Sequence, residues 1–140
     1  MALNAEELIA TATAALRCIP WCNMSLELMR SSSSAGSDAL AVALGAGETL
    51  DRFLSHSWHD DAEAKWNVLR QWSQQFFSQN GRAPRLWLDK VCIDQANIGE
   101  GLRCLPVNVM ACDKVLVCWG STYPTGRLFW KKPTKATVIL

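Results

Sequence analysis

The sequence predicts an α/β fold, a parallel sheet with flanking helices, preceded by an N-terminal helical segment. Three observations lead there. Three short apolar runs, "RFLSHSW" (52–58), "RLWLDKVCI" (85–93) and "KVLVCWG" (114–120), read as strands. The third is continuously apolar, as in strands covered on both faces. Helical patterns separate the runs, and the order strand–helix–strand–helix–strand implies parallel strands joined by right-handed crossovers.

The elements follow in order. Over 1–30, Leu3, Leu8, Ile9, Ala12 and Leu16 recur near helical spacing, and Pro20 should end that helix. A second short helix, "NMSLELMR", follows. "SSSSAGSDA" reads as a flexible linker, and "LAVALGAGETLD" is ambiguous, one reading being a short helix leading into the domain. The clearest helix is "DDAEAKWNVLRQWSQQFFSQNG". Trp66, Leu69, Trp72 or Ser73, and Phe76 form one stripe, Asp60 or Asp61 caps the start, and Asn80-Gly81 supplies the stop. "DQANIGEG" is a polar loop. "GLRCLPVNVMACD" is a helix with Leu102, Leu105, Val109 and, in one reading, Cys112 on one face, which Pro106 should kink unless it sits in the first turn. The expected divisions are 1–50, a helical segment and Ser-rich linker; 51–130, the α/β domain; and 131–140, an irregular basic tail.

Composition narrows the function classes. A chain of 140 residues, 49% hydrophobic and 19% charged, suits one small globular domain plus a tail. A net charge of +1 gives no electrostatic footprint for nucleic acid and no basic patch for a membrane surface. Seven tryptophans mark a core or a partner surface. Six cysteines raise a disulfide framework. However, "MALNAEELIA" carries acidic residues where a signal peptide needs basic ones, and no window is apolar enough to span a bilayer. An intracellular, cytoplasmic protein with reduced thiols is expected, with Cys92, Cys112 and Cys118 as small core residues.

Open α/β sheets build ligand crevices at the carboxyl ends of their strands. There the sequence places Ser55, His56, Ser57 and Trp58 after the first strand, Asp89 at the end of the second, and Ser121, Thr122 and Tyr123 after the third. Simple strand capping is the competing reading. His56 and His59 lie beside Asp60 and Asp61, but zinc needs three or four convergent ligands and no Cys-x-x-Cys completes a set, so no metal is expected. Ser55 and Ser57 flank His56 and point away from it on a strand, whereas Cys92 could meet His56 across adjacent strands. No Gly-x-Ser-x-Gly elbow, phosphate loop or dinucleotide fingerprint occurs. Asp89 and Asp94 flank "KVCI" and read either as an acid–base pair or as a strand-end acceptor and an Asx turn.

Taken together, "FLSHSWHDD", the aromatic helix, "LWLDKVCIDQ", "LRCLPVNVMACDKVLVCWGSTY" and "RLFW" resemble a Toll/interleukin-1 receptor (TIR)-like domain of the divergent type found in unicellular eukaryotes, over about residues 51–130. The "W-x-D-x-x-C-I-x-Q" piece also resembles fungal heterokaryon-incompatibility domains. The resemblance implies a flavodoxin-like sheet with strands at Phe53–Ser57, Arg85–Asp89 and Lys114–Trp119. It implies a cleft lined by Ser55, His56, Trp58 and Asp89, and a loop over 92–101 used for self-association, with Cys92, Ile93, Asp94, Gln95 and Ile98 as its interaction residues. Some TIR-like proteins hydrolyse NAD+ at an oxocarbenium-like centre, using a glutamate on the helix after the third strand. Here Arg127-Leu128-Phe129-Trp130 is followed by "KKPTKATVIL", and no Asp or Glu occurs after Asp113. The expectation is therefore an incomplete TIR-like domain, its third strand lacking an outer neighbour, either a fragment with a mispredicted end or a truncated inactive form. It would work in signalling by association with itself or with other TIR-like domains, with no catalytic residue and no cofactor. The alternative is an NAD+ hydrolase whose glutamate lies outside this chain.

Overall fold

The computed structural model describes residues 4–14, 16–30, 38–45, 47–57, 61–93, 98–118 and 136–139. It is an α/β structure built on a mixed, mostly parallel sheet with flanking helices. The strands are β1 (Arg17–Pro20), β2 (Val42–Ala43), β3 (Leu50–Ser55), β4 (Arg85–Trp87), β5 (Cys112–Cys118) and β6 (Ala136–Ile139). Their spatial order is β2-β1-β4-β3-β5-β6. β4, β3, β5 and β6 run parallel, with Phe53 opposite Trp87 on one side and Val115 on the other. β1 adds antiparallel to β4, and the two-residue β2 closes that edge.

The helices are α1 (Ala5–Ala14), α2 (Leu26–Arg30), α3 (Ala62–Asn80), α4 (Asp89–Cys92), α5 (Ile98–Arg103) and α6 (Leu105–Ala111). Their ends follow local chemistry. Asn4 and Glu7 exchange side-chain and backbone hydrogen bonds in a capping box that starts α1. Ser25 Oγ accepts from Leu28 N at the start of α2. Asp61 Oδ1 accepts from Glu63 N and Ala64 N, resolving the choice of cap for α3. Gly81 ends α3 at φ 71°, a left-handed conformation that costs glycine nothing. Pro106 lies in the first turn of α6, where it lacks only a donor that would go unused.

α3 buries Lys65, Leu69, Trp72, Ser73 and Phe76, a single face at helical spacing. That face covers the side of β3 bearing Arg52 and His56: the Arg52 guanidinium lies over the rings of Trp72 and Phe76, and His56 meets Lys65. Phe53, on the alternate face of β3, stacks on its cross-strand neighbour Trp87 at 4.6 Å. α6 packs on β3 and β5, and α1 packs on α6.

Four elements differ from the sequence reading. Arg17–Pro20, expected to finish a helix, form a strand, and Cys18, Ile19, Met24, Leu28 and Met29 share the core of the sheet. The first fifty residues thus supply both strands of one sheet edge. Ala136–Ile139, expected to be irregular tail, pair in parallel with β5, so β5 has an outer neighbour. Thr137, Val138 and Ile139 are β-branched and suit a strand, but four residues are too few for a visible pattern. The run "LWLDKVCI" is not one strand. β4 stops at Trp87, and Cys92 N donates to Leu88 O to close the turn of α4. Finally, the expected helix over 101–113 divides into α5 and α6, and Cys112 belongs to β5. Among the described residues no helix is long and apolar enough to cross a membrane.

Candidate functional site

The parallel register brings the carboxyl ends of β3, β4 and β5 to one rim. Ser55 pairs with Val117 of β5, and Asp89 follows two residues after Trp87, the partner of Phe53. The Ser-His-Ser segment and Asp89 therefore meet at the same edge of the sheet. β3 is also the strand on either side of which the crossovers diverge, to β4 on one side and β5 on the other.

The polar residues here are buried rather than displayed. Ser55, His56 and Ser57 all lie in the interior, His56 at 0% exposure. Lys65 joins them from α3 at 5% exposure. Its Nζ donates to Ser57 O at 2.7 Å and lies 3.2 Å from His56 Nδ1. An amino group in this position is tolerable only because it is hydrogen-bonded. Lys65 was absent from the sequence-derived candidates. Its signal was available: it falls in phase with Leu69, Trp72 and Phe76, on the face a helix turns to the core.

Asp89 begins α4 rather than ending β4, and its Oδ1 accepts from Lys90 N at 2.7 Å. Lys90 is buried, and its Nζ donates to Leu28 O at 3.0 Å, tying α4 to α2. Burial pushes the Lys90 pKa down, and the Asp89 charge partly offsets that.

The expected interaction segment divides. Cys92 and Ile93 are core residues, whereas Ile98 is 48% exposed and, with Leu102 at 55%, forms an apolar pair one turn apart on α5. Burial pushes the Cys92 thiol up to about 12, with a weak opposing contribution from the Leu88 N–H that donates to its sulfur. Such a thiol is not an activated nucleophile. Cys112 and Cys118 are likewise buried as small core residues. Trp58, His59, Asp60, Asp94, Gln95, Ser121, Thr122 and Tyr123 lie outside the described residues. Among the described residues no group of three or more His, Cys, Asp or Glu is arranged to hold a metal ion.

The amino ends of β3 and β4 carry a second polar cluster. Asp51 accepts from Arg82 Nη1 and Nη2 at 2.8 and 2.7 Å and from Arg85 N at 2.8 Å. Burial works against the Asp51 charge, but these hydrogen bonds and the two guanidinium charges outweigh it and hold its carboxyl below the usual range. An open depression of about 530 Å3 lies here, lined by Asp51, Arg82, Asn80 and Met110 among others. Asp51 and Arg82 are already paired with each other and Asp113 meets Arg52, and the depression lies away from the carboxyl rim. It reads as the ordinary exposed end of the sheet.

Comparison with family models, with curated proteins and with solved structures returns no match for this chain.

Proposed function

We propose that the chain is a TIR-like module that acts in signalling by associating with copies of itself or with similar domains. The observation that carries this reading is the order of the parallel strands. Counted from β3, the sequence β4-β3-β5-β6 reads 2-1-3-4, the order in which flavodoxin-like sheets begin. The resemblance of residues 51–130 to TIR-like domains calls for the 2-1-3 part of that order; β6 lies beyond the residues that carry it. The exposed Ile98–Leu102 pair gives the segment after β4 an apolar surface suited to association. The cleft residues Ser55 and His56 are closed off, and Cys92 is inert, which favours assembly over chemistry at this rim.

Light scattering against concentration tests the proposal. The chain is expected to associate, and I98D together with L102D to shift it toward monomer without loss of helical signal. A wild-type chain that is folded and monomeric at every concentration would count against assembly. Nicotinamide release from NAD+ above a denatured control would turn the reading to the hydrolase instead.

A further inference from the structure

We infer that Lys65 is a positioning residue that fixes His56 in its Nε2–H tautomer and withdraws the imidazole from proton transfer through Nδ1. The inference stands independently of the assembly reading. An ammonium group has three donors and no acceptor. As an ammonium Lys65 can only donate, so its approach to His56 Nδ1 at 3.2 Å would use the Nδ1 lone pair and place the ring proton on Nε2. The second contact agrees. Ser57 O can only accept, and its 2.7 Å separation from Nζ is in the range of charge-assisted bonds. One buried amino group thus meets both the ring of His56 and the backbone where the chain leaves β3.

The arrangement has a chemical consequence. Placing a proton on Nδ1 would set an imidazolium against the ammonium in a dry interior, where like charges repel strongly. Nδ1 is therefore not a base for a neighbouring nucleophile. The Cys92 thiol is pushed up by burial to about 12, the opposite of what an activated thiol needs. A Cys92–His56 dyad, open on sequence grounds, is inconsistent with this geometry.

The test uses the full chain labelled with 15N, reading imidazole nitrogens by long-range proton–nitrogen correlation at neutral pH. The chain has two histidines, so H56Q assigns the signals. The expected pattern is a protonated, pyrrole-like Nε2 and an unprotonated, pyridine-like Nδ1. In K65M the Nδ1 resonance should move toward its value without a hydrogen bond, and the second tautomer should become populated. K65R, which keeps a charged donor, should restore the wild-type tautomer. K65Q replaces K65M if that variant does not fold. A wild-type His56 that is protonated on Nδ1, or on both nitrogens, overturns the inference. So does a Lys65 variant lacking the charge with an unchanged pattern.

Discussion

Replacing Asp51 by Asn removes one negative charge and little else. The side chain is only 7% exposed, and its two oxygens accept from Arg82 twice and from the Arg85 backbone. Hydrogen bonds to charged groups contribute about 1.5–3 kcal/mol each. Asn retains one oxygen for the Arg85 N–H, so that bond survives in weaker form. Arg82 is 38% exposed, so water replaces part of what it loses. Together these give a destabilisation of about 2 kcal/mol, or a Tm lower by roughly 8 °C for a chain of this size. Urea denaturation at neutral pH measures it directly. The pH dependence adds a sign. The folded-state pKa of Asp51 lies below its ordinary 3.8, so its contribution is present above that value and lost as pH falls through the folded-state value. The gap between D51N and wild type should therefore be full at neutral pH and close on acidification below 3.8. Equal stability at neutral pH, or a gap that persists undiminished to about pH 2, would refute the argument.

Three further predictions rest on separate features. Leu69 is fully buried under α3, and L69A should cost about 2–5 kcal/mol in urea denaturation, through lost burial and a residual cavity. G81A should cost about 1 kcal/mol, since φ is 71° and a Cβ there meets no neighbour, leaving backbone strain as the main penalty. A bulkier effect would indicate packing. In the folded chain at pH 8, a thiol reagent followed by mass mapping should modify exposed Cys22 well before Cys92, whose thiol is pushed up to about 12. Equal rates would show that the α4 region opens readily.

The parts of the fold legible in the sequence are those with enough residues to display a period. α3 runs for 19 residues, and its stripe and both ends were readable from Asp61 to Gly81. β5 was readable as an unbroken apolar run. β1 and β6 have four residues each, too few to show alternation, and their pairing is set by distant partners. β1 also ends in Pro20, which on sequence grounds argues for a helix stop. Its place beside β4 is compatible with proline because β2 pairs only with Arg17 and Cys18, and Trp21 N donates toward β4, so the missing N–H of Pro20 faces the side where β2 has ended. "LWLDKVCI" misled because apolar content alone does not distinguish a strand from a buried helical turn. At the rim, the meeting of Ser55 and Asp89 followed from strand direction alone. Their neighbour Lys65 needed the phase of α3 to be read for charges as well as for apolar residues. The Asp51–Arg82 pair spans a separation of 31 residues, and nothing local announces it.

The shared rim exists only if β3 lies parallel between β4 and β5. Nuclear Overhauser contacts between backbone protons of the labelled chain measure this directly. Contacts on both sides should step forward together: Arg52 with Leu86, then Phe53 with Trp87 on one side, and Phe53 with Val115, Leu54 with Leu116, then Ser55 with Val117 on the other. Contacts that step in opposite directions along either pair of strands, or helical contacts within 50–55, would contradict it.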